Sequence, residues 1–364
     1  MKWYPYGHDF GNAEMGGVTV LSDGRNVARS ISTAFAKADI NAMRSLGVKT
    51  DQSHTHVIQF QGEAIAHAVG ELALQQAIEV YHGRGDIQRY TSKYSLRGLL
   101  TLAASLIPEA EFGLYVVTGL PAETYIKNMK LRTAIKEALD GTHVFTMDNG
   151  KIWHRVTVEV ATVVMEGSGA LIAGHTQSAS RMMESAVIDI GGRTTDLYVA
   201  RGQVPVTEYC KGKPLGVETA TQMLIDIFEH KYDRPLSLLE AREIMFAFAS
   251  DDGSRSYPDV SVYGKTISPY ELERMAREAI SQTGAEIVSF VASAWRQSDR
   301  DAVAASFKPV LNIGGGAYYF HNFLKQRIPH LSRPEDPIHA NPLGYCNLAG
   351  RLLMRRHQTS SATA

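Results

Sequence analysis

The chain has 364 residues, a formal net charge of −1, and 44% hydrophobic and 21% charged residues. That length suits about two domains with sizeable cores, and the balanced charge gives no support for a broad nucleic-acid-binding surface, although a local patch is compatible with it. Cys210 and Cys346 are too few for a disulfide framework and too isolated for a zinc site, and no apolar run is long enough to span a bilayer.

The first informative stretch is Gly7 to Val20. Asp9 comes off a short strand, the turn Phe10-Gly11-Asn12-Ala13 follows, and the β-type run Val18-Thr19-Val20-Leu21 leaves. His54 and His56 flank Thr55 in a β-like run, but no carboxylate or cysteine set at metal spacing accompanies them, which favours a structural role. Gly113 to Pro121 reads as a buried strand stopped by a turn, and Ala122 to Leu139 has helical spacing. Lys151 to Val164 alternates like a strand pair after the turn Asp148-Asn149-Gly150, and the Gly-rich run Glu166 to Gly174 suits a bridge between halves.

The segment Ile188-Asp189-Ile190-Gly191-Gly192-Arg193-Thr194-Thr195-Asp196-Leu197 is the densest signal in the chain. It reads as strand, tight turn, strand. The glycines let backbone N–H groups approach an anion, the threonines add hydroxyl donors, and Asp189 sits where it would hold a hydrated magnesium ion. The same residues also suit an ordinary hairpin. Helical spacing then covers Leu215 to His230, Leu236 to Phe248 and Pro269 to Trp295, with a turn-rich loop at Asp251 to Ser256 and a hairpin at Val260 to Ile267. A third glycine cluster follows the strand Val310-Leu311-Asn312-Ile313. Gly314, Gly315 and Gly316 lead into residues suited to a first helical turn, where N–H groups and the dipole favour phosphate or ribose oxygens.

Near the C-terminus, Arg351 to Arg356 fits a core-docked terminal helix better than a membrane-surface helix, and Arg355 to Ala364 reads as a fraying tail. The start of the chain, with Lys2, Trp3 and Pro5, lacks a signal-peptide pattern, so a cytoplasmic location and no membrane association are expected. No nucleophile elbow, no cysteine-nucleophile signature and no Walker-type phosphate loop occur.

The ordered set Asp9-x-Gly11, Asp189-x-Gly191-Gly192-x-Thr194-Thr195 and Gly314-Gly315-Gly316 resembles the actin, sugar-kinase and heat-shock-chaperone ATPase superfamily. Within it the chain is most similar to prokaryotic actin-like proteins of the ParM (StbA) type and their archaeal relatives. Thr118-Gly119-Leu120-Pro121, Leu215-Gly216-Val217-Glu218-Thr219 and the closing segment His339 to Gly350 carry that narrower resemblance. It implies an α/β, actin-like (ribonuclease H-like) duplicated fold with two lobes around a nucleotide cleft. Domain I would span 1–168 with 338–364 returning to it, and domain II 169–337.

Carried over residue by residue, the resemblance implies that Asp9 and Asp189 face each other and hold Mg²⁺ through water. Gly11, Asn12 and Ala13 would offer N–H groups to one side of the phosphates of ATP (or GTP), and Gly192, Arg193 and Thr194 to the other. Gly314, Gly315 and Gly316, with Tyr318 nearby, would line the adenosine pocket, Glu218 would approach the ribose or base, and Glu166 would orient the attacking water. Glu166 also fits a surface carboxylate at a helix start.

One departure stands out. Relatives carry a phosphate-reaching side chain a few residues after the first aspartate, where this chain has Met15-Gly16-Gly17. Arg193 would supply the compensating cation, unless it points to solvent. The resemblance implies ATP hydrolysis and nucleotide-dependent self-association into filaments for plasmid or DNA segregation or a related cytoskeletal role. A separate DNA-binding adaptor would act as partner, with no direct nucleic-acid binding. A non-polymerising nucleotide switch and a small-molecule kinase are the alternatives; a chaperone ATPase would need more chain after the third loop than is present.

Overall fold

The computed structural model describes residues 1–45, 55–76, 79–82, 87–148, 150–174, 183–202, 204–250, 256–296 and 302–362; His54, Asn149 and all but Ser256 of the loop expected at Asp251–Ser256 lie outside them. The chain forms two compact units, Met1–Ser178 with Ile338–Ala364, and Ala179–Pro337.

The first unit opens with a meander of β1 (Trp3–Asp9), β2 (Glu14–Val20) and β3 (Asn26–Ser32). There follow β4 (Phe35–Ala38), α1 (Ile40–Ser45), β5 (Thr55–Phe60), β6 (Ala66–Gly70) and α2 (Glu71–Gln76). Next, α3 (Lys93–Leu106) begins at Ser92, whose hydroxyl accepts the Ser95 N–H at 3.2 Å. The strand β7 (Glu111–Leu120) is apolar almost throughout, as a central strand covered on both faces must be. Asn128, at φ −123° and ψ 65°, breaks the helix expected over Ala122–Leu139 into α4 (Ala122–Lys127) and α5 (Met129–Leu139). After β8 (Gly141–Met147), the positive φ of 53° at Asp148 turns the chain into β9 (Trp153–Met165). Lys151–Val164 is therefore not a strand pair but mostly one strand, whose antiparallel partner β8 precedes the turn.

His56 is buried, its Nδ1 3.3 Å from Asp148 Oδ2, while Asp148 Oδ1 accepts the Val57 N–H at 3.1 Å. That pairing fastens the β8–β9 turn and accounts for the residue structurally. The run Glu166–Gly174 is not a bridge: it contains α6 (Ser168–Ala173), which packs within the first unit.

The second unit starts with β10 (Glu184–Ile190), β11 (Thr195–Arg201), β12 (Val204–Pro205) and β13 (Lys211–Lys213). Gly216 stays extended, so α7 runs Val217–Tyr232. A reciprocal Ser237–Glu240 capping box starts α8 (Leu238–Ala249). A small hairpin, β14 (Ser261–Val262) and β15 (Lys265–Thr266), precedes α9 (Pro269–Trp295), which starts at Ser268 with proline in its first turn, as its sequence predicts. The strand β16 (Phe307–Ile313), α10 (Ala317–Arg327) and β17 (Leu331–Ser332) complete it. The chain then returns to the first unit as α11 (Ala340–Ala362), so the stretch read as a fraying tail is helical as far as Ala362.

The two units repeat one sheet. In the first the order is β3-β2-β1-β7-β9, in the second β12-β11-β10-β16-β17. In each, the first two pairings are antiparallel and the last two parallel. This is the duplicated actin-like α/β fold. The first unit extends its sheet through β8-β5-β6-β4. Its core gathers Tyr4, Tyr6, Phe112 and Phe145, and that of the second Phe228, Trp295, Phe307 and Phe320. Among the described residues no helix is long and apolar enough to cross a membrane.

Missing side chains let α11 dock. A Cβ on Gly7 of β1 would stand 1.8 Å from the Pro342 carbonyl oxygen, and one on Gly344 would stand 1.8 Å from that of Gly169 in α6. At Gly350, farther along the same helix, the nearest atom to an added Cβ is Pro5 Cβ at 3.7 Å, an ordinary contact. Gly344→Ala is therefore expected to cost about 3 kcal/mol or more in urea unfolding, whereas Gly350→Ala should change stability by less than about 1 kcal/mol, helix propensity favouring alanine. Equal losses at the two positions would contradict this close backbone approach.

Candidate functional site

In the first unit, Asp9, Leu120 and Met165 end the parallel strands β1, β7 and β9, so Asp9 and Glu166 lie along one carboxyl edge of the sheet. That edge is where open α/β sheets bind ligands. The loop after Asp9 is tied from behind. The Thr33 hydroxyl donates to the Gly11 carbonyl at 2.8 Å, and the Thr33 N–H to that of Ala13 at 2.8 Å. A trans peptide sets its N–H opposite its C=O, so anchoring the Gly11 carbonyl turns the Asn12 N–H to the other side. Gly11 is required: a Cβ there would stand 1.9 Å from the Glu14 carbonyl oxygen.

Asp9 is half-buried at the molecular surface. Burial pushes its carboxyl up from 3.8 to about 6, and the charges of Arg89 and His339 pull the other way. Ser30 holds His339 through an Oγ–Nε2 hydrogen bond of 2.9 Å. Thr33, Arg89 and Ser30 carry no motif of their own, and His339, which opens the closing segment, was given no role at this loop by the sequence.

Glu166 follows the last residue of β9, and its N–H donates to the Leu120 carbonyl at 2.8 Å. The next residue, Gly167, takes φ 86°, and its N–H donates to Asn341 Oδ1 at 3.1 Å. The Asn341 side chain also accepts the Ala170 N–H at 3.3 Å, so the returning segment fixes the turn carrying Glu166.

The second unit repeats the arrangement. Asp189 lies near the end of β10, and the Gly191 N–H donates to the Thr194 carbonyl at 2.9 Å, closing a two-residue turn. Here α7 supplies the backing. The Val217 N–H donates to the Gly191 carbonyl at 3.2 Å and the Glu218 N–H to the Gly192 carbonyl at 2.6 Å. By the same peptide geometry, the Gly192 and Arg193 N–H groups point away from α7. Gly216 permits the approach, since a Cβ there would stand 2.6 Å from the Gly191 oxygen. Thr195 adds a hydroxyl bond to the Leu215 carbonyl at 2.7 Å.

The third loop closes onto the second. The Gly316 N–H donates to the Ile190 carbonyl at 2.7 Å and the Gly314 N–H to that of Pro337 at 2.9 Å. Gly314 has φ 78°, and a Cβ on it would stand 2.6 Å from Asp189 Oδ1. Gly315 is open, with nothing within 4 Å of an added Cβ. Tyr318 is 38% exposed, with the Arg333 guanidinium 5.1 Å from its ring centroid. Arg193 and Glu218 are brought together, Nε to Oε2, at 3.5 Å. Arg193 thus engages a carboxylate while its side chain stays about one-third exposed, an ion pair the sequence did not foresee.

Among the described residues no group of three or more His, Cys, Asp or Glu side chains could hold a metal ion. Single carboxylates such as Asp9 and Asp189 fit magnesium, which keeps several waters and takes one or two carboxylates.

The burial of Asp9 gives a pH-dependent expectation. Its raised pKa makes the ionised carboxylate a cost to the ligand-free fold, absent below pH 3.8, growing through the interval and complete above about pH 6. Asp9→Asn should therefore melt higher than the parent at neutral pH, and the difference should vanish near pH 4. A parent that melts higher at neutral pH would refute this. Thr33→Val, which removes the hydroxyl backing Gly11, is expected to cost about 1 kcal/mol in unfolding experiments.

Residues 7–169 match the family model described as actin like proteins N terminal domain. No curated protein matches the chain. Among solved structures, a 15-stranded ParM filament from Clostridium botulinum aligns with a TM-score of 0.75 at 20% identity, over 96% of this chain and 100% of that one. An archaeal actin homolog aligns with 0.73 at 20% identity, over 96% and 100%. Bacillus thuringiensis ParM with ATP aligns with 0.70 at 15% identity, over 98% and 100%. Residues 7–169 are thus similar to the N-terminal domain of actin like proteins, and the chain has the fold of ParM and archaeal actin along nearly its whole length.

Proposed function

We propose that this protein is a filament-forming ATPase that binds ATP with Mg²⁺ and polymerises in a nucleotide-dependent manner, serving DNA segregation or a related cytoskeletal task. One observation carries the reading. On the carboxyl edge of each of two matching sheets, an aspartate-bearing loop has its carbonyls tied down behind it and its N–H groups turned outward. Two such loops suit a polyphosphate, because phosphoryl transfer needs mainly positioning and charge neutralisation. The solved relatives support it by what they hold: Bacillus thuringiensis ParM with ATP, the archaeal homolog in complex with ADP, and a Clostridium botulinum ParM as a filament.

In this reading the N–H groups of Asn12, Gly192 and Arg193 take phosphate oxygens, and Thr194 adds its hydroxyl. Asp9 and Asp189 hold Mg²⁺ through its waters, and the bound ion would neutralise phosphate charge as it develops. Glu166 orients the attacking water and accepts its proton. Gly314, Gly315, Gly316 and Tyr318 line the adenosine site, where open Gly315 lets a ligand approach the backbone, and Glu218 faces the ribose or base while steadying Arg193. A segregation role takes a separate DNA-binding adaptor, since a net charge of −1 offers no broad basic surface.

Sedimentation with Mg-ATP, Mg-ADP and no nucleotide tests assembly: pelleting that depends on nucleotide is expected, and identical pelleting in all three overturns the filament reading. Phosphate release without an added acceptor separates a hydrolase from a kinase, and a parallel GTP series decides base preference. Mg-ATP at 100 times its dissociation constant should stabilise the fold by about 2.7 kcal/mol; a flat thermal response counts against the loops. Glu166→Ala should keep ATP affinity while turnover falls roughly 10²-fold or more, and unaltered turnover removes Glu166 from its role.

A further inference from the structure

The first loop has no basic side chain of its own: Asp9 is followed by Phe10-Gly11-Asn12-Ala13-Glu14-Met15-Gly16-Gly17. In the second unit Arg193 is engaged with Glu218. Another cation stands beside Asp9. Arg89 lies in the 3-10 turn Ile87–Thr91 and is only 8% exposed. Its guanidinium sits 4.3 Å from the Tyr90 ring centroid and donates from Nη2 to the Tyr90 hydroxyl at 2.6 Å. The Tyr90 ring meets Phe10 edge-on at 5.9 Å, and Phe10 meets His8 edge-on at 4.3 Å. This aromatic stack ends on the two residues flanking Asp9, so packing, not chain proximity, brings Arg89 to the loop.

The environment leaves that charge short of an anion. Among the described residues no carboxylate lies within ion-pairing distance of the Arg89 guanidinium. The other buried arginine of this region, Arg97, has Glu63 at 2.6 Å. The Arg89 carbonyl accepts the hydroxyls of Ser92 and Ser95, which places the residue at the N-terminus of α3, the positive end of the helix dipole. A nearly buried cation there is costly unless an anion approaches. Asp9, flanked by the two residues on which the aromatic stack ends, offsets part of the charge. Once the Asp9 charge is engaged by a divalent ion, an added anion would balance Arg89. Held over Tyr90, the guanidinium is a preformed fork, the geometry that matches phosphate.

We propose that Arg89 is the phosphate-binding cation of the first loop, replacing the side chain missing from Met15-Gly16-Gly17 and contacting the polyphosphate of a nucleoside triphosphate. The proposal rests on the ATP reading above.

Calorimetric titration of the parent, Arg89→Gln and Arg89→Lys with Mg-ATP and with adenosine tests it, the unfolding midpoint without nucleotide serving as the check on folding. Loss of one charge-assisted contact predicts a ten- to hundredfold weaker Mg-ATP affinity for Arg89→Gln, with adenosine affinity unchanged, and an intermediate value for Arg89→Lys. If the parent binds Mg-ATP and Arg89→Gln binds it equally well, the assignment of Arg89 fails while the ATP reading stands. If Arg89→Gln weakens ATP and adenosine alike, Arg89 is structural and the proposal is overturned. A parent that binds no ATP overturns the ATP reading, and Arg89 with it. Where Arg89→Gln does not fold, Arg89→Lys decides: at least threefold weaker ATP binding with adenosine unchanged supports the proposal, and parent-like ATP affinity ends it.

Discussion

A peptide unit cannot turn its C=O and its N–H to the same side, and both aspartate loops of this protein depend on that constraint. Thr33 fastens the carbonyls of Gly11 and Ala13, and the first N–H groups of α7 fasten those of Gly191 and Gly192. The donors left facing outward are consequences of the bonds behind them. This also explains why α7 does not itself offer its leading N–H groups to a ligand: the loop has already taken them. The familiar helix-terminus anion site is displaced by one layer, from the helix to the loop it supports.

Close backbone approach is the second requirement. Glycines at positions 11, 216 and 314 let the loops meet their supports, and those at 7 and 344 let α11 lie against β1 and α6. The returning segment then contributes directly to the first unit's edge: Asn341 caps the turn after Glu166, and His339 is tied to Ser30. A segment far from the first loop in the chain thus shapes the surroundings of Asp9 and Glu166, while the hairpin turn of the second unit is backed by α7 and the third loop.

Charge is distributed unequally between the units. Asp9 sits among atoms that disfavour its ionised form, with Arg89 and His339 opposing that cost. Arg193 and Glu218, each about one-third exposed, form a pair whose energetic worth is small because water screens it. The buried Arg89 guanidinium, beside Asp9 but with no carboxylate in ion-pairing distance among the described residues, is therefore the stronger electrostatic feature, although it carries no sequence motif.

By itself the sequence determined the three glycine-bearing turns, the aspartates before the first two, and most helices. These are local properties: a positive φ or a tight approach demands glycine at Gly314, and apolar spacing marks the buried face of a helix. Only the tertiary structure decided that Lys151–Val164 is largely one strand and that Glu166–Gly174 holds a helix packed within the first unit, because β8 and the returning α11 supply the missing partners. It alone brought Thr33, Arg89 and His339 to the first loop and Glu218 to Arg193. Such residues are ordinary in their own neighbourhoods. Their significance comes from hydrogen bonds, ring stacking and burial between segments distant in the chain, which no local pattern encodes.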